Sequence, residues 1–552
     1  MDLWWFLISV ISTLVGALLI HHFFRIETSQ IQREATADKP SHPDLLQTLP
    51  EPILLLKNRL AEALPGCVIS ASETATFTQA INAYWAQQEC EVVPACVVQP
   101  HRAQELSQAV IILKNGFDQF RRESTSTNSH ANGLFAVRGG GHSPVAGAAS
   151  IANGVLIDLG RFNEVTPSPD GTSVRIGAGC RWINVTQVLE KKGLAVAGGR
   201  NSAVGVGGLT LGGGLSFLSP RCGFVCSNII EYEVVLADGS LVVASSINNP
   251  DLWRALKGGS NNFGIVTSFT ARSFPLPQIW AGFLYIPSFE ASNVLSAFHD
   301  FLNRTVTNDV GQTYNEHAGG PLTSFTYLHQ LGIQAIVINL VHTQAPTIGR
   351  KWPACWQNSK FASLWRFWST CKLRSLTDAT DELSALDPPG QRQLFATTTI
   401  KNDPATLQAA HDAFRKSIVS IRKRNIKGMS WSLVLQPLIP EWARKGDPNS
   451  LGLDTCDDEP LVVVGFMVHW TLRQDDVSAE TITRCAIEQI ETFATAHGTN
   501  HRYRYLNYCG KWQKPFDGYG EENLTFLKQV SRKYDPDGLF QIGCSGGFKL
   551  GL

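Results

Sequence analysis

Apolar residues in the first half of this chain form short strand-like runs, separated by helical stretches and by turns rich in glycine. The runs that predict strands are 95–99, 134–137, 154–159 and 173–176, and a hairpin is predicted over 229–244. Helical spacing predicts helices over 103–115 and 181–192, the second ending at Gly193 because glycine favours the position after a helix. Asn249 followed by Pro250 predicts the capped start of another helix.

A change of composition follows Phe-Pro-Leu-Pro at 274–277, and we place a domain boundary there. Beyond it, strands are predicted at 334–341, 430–435 and 461–470, and helices at 404–422 and 477–497. This pattern predicts a second α+β domain built on an antiparallel sheet. Trp431, Gln436, His469 and Trp470 lie on or beside these strands and could line a pocket, although core packing explains the aromatic residues equally well.

The first fifty residues differ from the rest of the chain. Residues 3–24 carry no charge and are long enough to span a bilayer as a helix, whereas 25–50 are polar and suit a linker. We predict an uncleaved single-pass membrane anchor at 1–24 in the secretory pathway, because Asp2 precedes the apolar stretch and no small-residue cleavage site ends it. A cleaved signal peptide on a secreted protein is the alternative. Glycosylation acceptors would then be Asn184, Asn303 and Asn523.

The densest glycine runs lie between residues 135 and 214. They are Arg-Gly-Gly-Gly-His at 138–142, Gly-Ala-Gly at 177–179 and Val-Gly-Val-Gly-Gly-Leu-Thr-Leu-Gly-Gly-Gly at 204–214. Glycines let backbone amides approach a ligand, and Val and Leu between them argue against a flexible linker. The dinucleotide fingerprint fails because Thr210 occupies the third glycine position, and no NTPase phosphate loop is present. We therefore predict a cofactor cradle, and elimination leaves a flavin.

These motifs resemble those of the berberine bridge enzyme-like, PCMH-type FAD-linked oxidoreductases of the vanillyl-alcohol oxidase superfamily. The resemblance covers about 90–277 and 501–541. It implies a two-lobed FAD-binding domain at 51–277, a substrate domain at 278–500 and a C-terminal segment at 501–552 that packs back on the FAD domain. It also implies a covalent bond between His142 and the 8α-methyl carbon of FAD. Asn201 replaces the cysteine through which many relatives form a second bond.

The resemblance also implies individual site residues. The cofactor-binding residues are Arg138, Gly139, Gly140, Gly141, His142, Ser143, Val204, Gly207, Gly208, Gly212, Gly213, Gly264, Ile265, Val266 and Asn507. Relatives commonly use as catalytic base a tyrosine of the tail motif or a carboxylate on the substrate sheet, which makes Tyr505 and Tyr508 the candidates here. Cys509 stands where relatives often have an acidic residue, which argues against a carboxylate from the tail. In relatives, valine at the position of Val204 is associated with access of O2, which favours an oxidase.

Composition narrows the function further. The 47 basic and 47 acidic residues give no net charge, so nothing indicates a nucleic-acid partner. Twelve cysteines are too few for a disulfide scaffold, and Cys222 and Cys226 lack the second pair of a zinc finger, so no metal is expected. We predict an oxidase for a small alcohol, sugar or secondary-metabolite intermediate. The alternatives are a flavin dehydrogenase with another acceptor and a non-catalytic, membrane-anchored binding protein.

Overall fold

A computed structural model of the protein describes residues 49–123, 133–303, 315–344, 352–454 and 459–551. Within these ranges no helix is both long and apolar enough to cross a bilayer. The predicted anchor at 1–24 and nearly all of the predicted linker lie outside them. Three sheets organise the described residues, two before residue 277 and one after it.

The first lobe is a four-stranded sheet whose last three strands run parallel. Its strands are β1 (Val68–Ser70), β2 (Cys96–Val98), β3 (Phe135–Arg138) and β4 (Val155–Asp158), in the order β1-β2-β4-β3. Its helices are α1 (Glu51–Ala63), α2 (Thr74–Ile81), α3 (Gln87–Cys90) and α4 (Ala103–Glu123). Leu106, Val110 and Leu113 of α4 are buried in one core cluster with Leu56 and Leu60 of α1. The first glycine motif follows β3 directly, so the sheet fixes where it begins.

The second lobe is antiparallel. Its strands are β5 (Val165–Pro167), β6 (Ser173–Gly177), β7 (Leu194–Val196), β8 (Ile229–Val235), β9 (Leu241–Ser245) and β10 (Ile265–Pro275). They follow the order β5-β6-β10-β8-β9, with β7 also paired to β10. The helices are α5 (Trp182–Glu190), α6 (Val206–Leu211), α7 (Ser219–Cys222) and α8 (Pro250–Leu256). The predicted hairpin is confirmed as β8 and β9, and Gly239 in its turn has φ +82°.

The remaining strands form one large antiparallel sheet in the second domain. They are β11 (Ile279–Pro287), β12 (Leu322–Leu328), β13 (Ile333–His342), β14 (Trp368–Ser369), β15 (Lys372–Arg374), β16 (Arg392–Lys401), β17 (Ser430–Leu438), β18 (Leu461–Trp470) and β19 (Asn500–His501). Among the described residues the order is β14-β11-β13-β12-β17-β18-β16-β19, with β15 beside β11. The helices are α9 (Ala291–Asn303), α10 (Ala354–Gln357), α11 (Leu376–Ala385), α12 (Pro404–Arg424), α13 (Pro440–Ala443) and α14 (Asp476–Ala496).

The C-terminal segment returns to the first domain. Its helix α15 (Glu521–Tyr534) buries Leu527 and Val530 in the core cluster of the two lobes. The hydroxyl of Tyr519 donates a hydrogen bond of 3.0 Å to the carbonyl oxygen of Gly258. The mixed α+β fold with antiparallel sheets is therefore as predicted, and the tail packs against the core of the two lobes.

The predicted start of α8 at Asn249 and Pro250 is confirmed. Asn249 occupies the N-cap position with φ +48°, but its side chain makes no capping hydrogen bond. Its Nδ2 instead donates to the carbonyl oxygen of Val243, and its Oδ1 accepts from the hydroxyl of Tyr534. The side chain of Asn249 therefore hydrogen-bonds to β9 and to the tail and not to the first turn of the helix.

Candidate active site

Two glycine turns meet backbone to backbone at one wall of a large cavity. Gly140 follows β3, and Gly205 precedes α6. A Cβ atom added to Gly140 would lie 2.4 Å from the Cα atom of Gly205, and one added to Gly205 would lie 2.6 Å from that of Gly140. Both positions therefore exclude any larger residue unless the backbone moves. We call residues 139–143, 204–208 and 264–266 the glycine wall.

The cavity behind this wall has a volume of about 1710 Å³. Typical ligand pockets have about 300–1,000 Å³, so the space suits a dinucleotide together with a second small molecule. The predicted site residues that line it are Gly139, Gly140, Gly141, His142, Ser143, Val204, Gly207, Gly208, Gly264, Ile265, Val266, Tyr505, Asn507 and Tyr508. Segments far apart in the chain thus meet at one site, with glycines lining one side of it.

Three predicted cofactor residues shape the wall without lining the cavity. The guanidinium of Arg138 is buried and forms an ion pair of 2.8 Å with Asp158, so the predicted direct contact with the cofactor is not available to it. A Cβ atom on Gly212 would lie 2.1 Å from Oδ1 of Asn507, so this glycine makes room for the tail. Gly213 has φ +104°, a conformation that favours glycine.

His142 has a tryptophan on its face and a carboxylate at its edge. Its ring stacks on Trp85, with centroids 4.4 Å apart and planes 10° apart. Oδ2 of Asp387 lies 3.6 Å from its Nε2, and the indole N–H of Trp85 donates to the backbone carbonyl of Asp387. Its Nδ1 is buried without a hydrogen-bond partner. Such an atom is costly to leave unpaired, so Nδ1 fits a bond to a group held in the cavity.

The family resemblance implies that Asn201 replaces the second flavin-bonded residue. Its Nδ2 donates to Oδ2 of Asp387 at 3.2 Å, and its Oδ1 accepts from the N–H of Ala203 at 3.0 Å. Both polar atoms of the Asn201 side chain are therefore hydrogen-bonded within the protein. Cys509 and Cys544 also line the cavity, and burial raises the pKa of both thiols, which keeps them in the less nucleophilic protonated form.

Tyr505 and Tyr508 both reach the cavity, but their hydroxyl groups differ in environment. The oxygen of Tyr505 accepts hydrogen bonds from the backbone N–H of Leu215 and from Nδ2 of Asn507, both at 3.1 Å. Burial raises the pKa of Tyr505 well above its ordinary value, so its hydroxyl stays protonated. Tyr508 is only half-buried, and its oxygen accepts a hydrogen bond of 3.1 Å from Nη2 of Arg200.

Arg200 is a site residue that the sequence did not reveal. It lines the cavity, and the nitrogen that contacts Tyr508 also donates to Oε1 of Gln436 on β17. Gln436 is buried. The guanidinium thus joins the glycine side of the cavity, the tail and the large sheet at one point. The only signal was an arginine directly after Gly198 and Gly199, which alone indicates no partner.

The opposite side of the cavity consists of alternate residues of the large sheet. We call these residues the sheet wall: Ser324, Thr326, Gln393, Phe395, Ser432, Val434, Met467 and His469. Of the aromatic candidates, Trp431 stacks on Phe466 in the core, and Nε1 of Trp470 donates to Asp476, so neither lines the cavity. Strand residues alternate between faces, which separates Trp431 from Ser432 and Trp470 from His469. Burial lowers the pKa of His469, which favours its neutral form.

Comparisons with known proteins agree with this arrangement. Residues 123–245 match the model of an FAD binding domain. The chain is 33% identical over 511 residues to the FAD-dependent monooxygenase tpcD of Cochliobolus heterostrophus, covering 90% of this chain and 93% of that protein. The solved 6-hydroxy-D-nicotine oxidase of Arthrobacter nicotinovorans has a TM-score of 0.67 at 23% identity, covering 86% of this chain and 96% of its own.

A second solved structure shares the fold. Glucooligosaccharide oxidase from Acremonium strictum has a TM-score of 0.66 at 18% identity, covers 90% of this chain and 99% of its own, and is described with a 6-S-cysteinyl, 8α-N1-histidyl FAD. The fold, the glycine wall and the relatives together define a flavoenzyme. The chain belongs to the PCMH-type, berberine bridge enzyme-like family of FAD-linked oxidoreductases.

Proposed function

We propose that this enzyme oxidises a small alcohol, sugar or secondary-metabolite intermediate and transfers the electrons to O2. The observation that carries the proposal is the hydroxyl of Tyr508 in the cavity with the Arg200 guanidinium on its oxygen. FAD, when bound, supplies the N5 atom that accepts a hydride. Tyr508 takes the proton of the substrate hydroxyl, and Nη2 of Arg200, which donates a hydrogen bond to the tyrosine oxygen, holds that oxygen in place.

The balance of the proposed reaction is simple. The substrate loses one hydride and one proton, which leaves a carbonyl group, and O2 takes up two electrons and two protons to give hydrogen peroxide. Val204 lines the cavity and is half-buried. Leucine there would add a methylene to a close-packed wall, which matters for the path of a molecule as small as O2. We therefore expect Val204→Leu to slow reoxidation.

The experiment that tests the proposal has two steps. Under anaerobic conditions, a panel of alcohols, sugars and polyketide-like phenols is screened for bleaching of the yellow colour. Compounds that bleach are then added in air, and hydrogen peroxide is measured. Bleaching followed by stoichiometric peroxide supports an oxidase. Reoxidation that requires an added electron acceptor would favour the dehydrogenase, and uptake of ¹⁸O from labelled O2 into the product would make the enzyme a monooxygenase, as tpcD is named.

We also propose that a single covalent bond attaches FAD to the protein, between Nδ1 of His142 and the 8α carbon. The bond would replace one C–H bond of the methyl group and release the imidazole proton, and the two electrons and two protons would pass to O2 as hydrogen peroxide. The unpartnered Nδ1 supports this, and Asp387 beside Nε2 favours the proton on that nitrogen, which leaves the lone pair on Nδ1. Flavin should stay with the polypeptide after acid precipitation, and His142→Ala should release it. Asp387→Asn should slow attachment without preventing FAD binding. A second flavin-carrying peptide would contradict the single bond.

We further propose that residues 1–24 anchor the enzyme to a membrane of the secretory pathway. Support comes from the uncharged stretch at 3–24 alone. The full-length protein should resist carbonate extraction from membranes, whereas a chain that begins near Pro50 should be soluble and yellow. Asn184 is exposed at the start of α5 and would be open to glycosylation there. A soluble natural protein that begins after residue 16 would favour the signal peptide instead.

A further inference from the structure

A cysteine, a histidine and a glutamate converge in the first lobe, outside the lining of the cavity. Cys67 is buried directly before β1, His101 lies between β2 and α4, and Glu105 lies in the first turn of α4. The Sγ atom of Cys67 is 3.7 Å from Nδ1 of His101 and 3.6 Å from Oε2 of Glu105. The remaining pair, Nδ1 of His101 and Oε2 of Glu105, is 3.6 Å apart.

These three distances match the edges of a tetrahedral zinc site. Zinc binds thiolate sulfur at about 2.3 Å and imidazole nitrogen or carboxylate oxygen at about 2.0–2.2 Å, which places ligand atoms about 3.3–3.6 Å from one another. One ion at the centre could therefore reach all three with shifts of a few tenths of an ångström. We propose that Cys67, His101 and Glu105 bind Zn²⁺. The His101 side chain is 49% exposed, so water can take the fourth position.

The ligand set favours zinc over the common hard cations. Calcium and magnesium prefer sites built from oxygen atoms, whereas one sulfur, one nitrogen and one oxygen suit a borderline-soft ion. The ligands Cys67 and His101 are 34 residues apart, while His101 and Glu105 are one helical turn apart. A search for paired cysteines, as in zinc fingers, does not find this combination. The fold brings the residues together by pairing β1 with β2.

Neighbouring groups hold the ligands in place. Oε2 of Glu105 accepts a hydrogen bond of 2.7 Å from the backbone N–H of His101. Its Oε1 accepts one of 2.8 Å from Nη2 of Arg102. The backbone N–H of Gln99 donates to the carbonyl oxygen of Cys67 at 2.7 Å, which ties the segments of two ligands together. Ligands fixed by such outer contacts lose little freedom on binding a metal. The same contacts stabilise the start of α4 without an ion, so the two roles need separate tests.

Zinc would stabilise the lobe on which the first glycine motif is built. The side chain of Gln99 donates to Asp158 at 2.7 Å, and Asp158 forms the buried ion pair with Arg138 at the end of β3. An ion that joins Cys67 to α4 would therefore stabilise the sheet from which the glycine motif at 139–142 begins. Because zinc would bind the folded protein and not the unfolded chain, the midpoint of thermal unfolding should rise with zinc concentration. No role in the oxidation itself follows, because the three ligands lie outside the cavity lining.

The test uses the FAD-loaded full chain, stripped of metals with EDTA and then equilibrated with zinc chloride. We expect one zinc per chain by elemental analysis after gel filtration, and a higher thermal midpoint than in the stripped protein. His101→Ala removes a half-exposed ligand without opening the core, and should weaken zinc binding by at least about tenfold, the lower end of the cost of losing an outer-shell partner. Cys485→Ala, at an exposed cysteine on α14, is the matched control and should bind zinc normally.

A second pair of measurements separates metal binding from helix capping. Glu105→Gln keeps an oxygen for the N–H of His101 but removes the negative charge, so it should weaken zinc binding while the metal-free thermal midpoint stays near that of the parent protein. Cobalt in place of zinc should give the visible absorption of tetrahedral coordination, and Cys67→Ser should shift it. Failure of the parent protein to retain zinc, or equal retention by His101→Ala, would overturn the proposal.

Discussion

The two walls of the cavity are built from different parts of the polypeptide. The glycine wall presents backbone, and at Gly140 and Gly205 it is closed by main chain against main chain. The sheet wall presents side chains on alternate strand positions, among them Ser324, Thr326 and Ser432. A backbone surface is the same whatever residues surround it, whereas a side-chain surface changes with every substitution. The first wall therefore suits an invariant cofactor, and the second suits a substrate that differs between relatives.

The largest effect should come from a methyl group placed between the two glycine turns. Gly140→Ala puts a Cβ atom 2.4 Å from the Cα atom of Gly205, and neither atom belongs to a side chain that can turn away. We expect loss of folded, yellow protein, since overpacking of this kind costs about 1–3 kcal/mol or more. The measurement is soluble yield and flavin content.

Gly208→Ala is the matched control, because a Cβ atom there meets no protein atom within 4 Å. It should fold, and its flavin content reports whether FAD approaches Gly208 closely. A yellow, stable Gly140→Ala protein would show that the two turns can separate and would remove the basis for a rigid backbone wall.

The next largest effect should be on the reaction rate, and it concerns Tyr508, which belongs to neither wall. Tyr508→Phe should lower kcat by about 100-fold or more, as expected for loss of a catalytic base, with little change in KM. Tyr505→Phe should instead lower stability by about 1–3 kcal/mol, because it leaves the N–H of Leu215 without its acceptor. Steady-state kinetics and denaturant unfolding separate the two. If Tyr505→Phe loses more kcat than Tyr508→Phe, the assignment of the base is reversed.

A titrating group behind the glycine wall should make stability depend on pH. Glu89 accepts hydrogen bonds from the N–H groups of Gly147 and Ala149, and burial raises its pKa from 4.5 to about 7 despite them. Between these values the folded protein keeps a proton that the unfolded chain loses. The free energy of unfolding therefore falls as pH rises through this range, by up to about 3 kcal/mol, and levels off above it.

Glu89→Gln should lack this dependence, although it starts from a lower stability because its NH2 group replaces one of the two oxygens that accept the N–H groups of Gly147 and Ala149. Denaturant unfolding of the FAD-loaded proteins at several pH values between 4.5 and 8 provides the comparison. Parallel curves for the two proteins would mean that Glu89 does not titrate in this range.

The smallest effect should come from the sheet wall. Oγ of Ser432 lies 2.9 Å from Oγ1 of Thr326, and both residues line the cavity. Ser432→Ala removes one polar group from the substrate side, so we expect a change in KM or in substrate preference, with stability and flavin content unchanged within about 0.5 kcal/mol. Trp431→Ala, one residue away, is the contrast: it empties a core position and should cost about 3–5 kcal/mol. Equal effects would mean that the strand faces are assigned wrongly.

The same contrast explains what sequence could and could not predict. Where two backbones touch, only glycine fits, so a glycine motif such as the one that contains Gly140 can be recognised in the sequence. His142 ends the same motif and is recognised with it. The partners of His142 could not, because Trp85 and Asp387 come from segments about 300 residues apart and carry no local motif. Arg200 was missed for the same reason.

The sheet wall shows a second limit. Alternation along β17 was visible, but the pattern does not say which face lines the cavity. Among the residues that could line a pocket, His469 does so. Trp431 lies in the core, and Ser432 beside it lines the cavity, because helices cover the aromatic face of the sheet. The large strand β16 was not predicted at all, since its threonine-rich sequence lacks a clear apolar alternation.

The cofactor pocket is assembled from segments that are synthesised at very different times. Trp85 stacks on His142, Asp387 lies at the edge of that ring, and Asn507 packs against Gly212. A ribosome releases Trp85 long before Asn507, because most of both domains lies between them in the sequence. Until the last of these residues has emerged, the cofactor pocket lacks part of its wall. A complete pocket for FAD therefore exists only after segments of both domains have been synthesised and folded, and a chain cut short before residue 507 would lack part of the pocket.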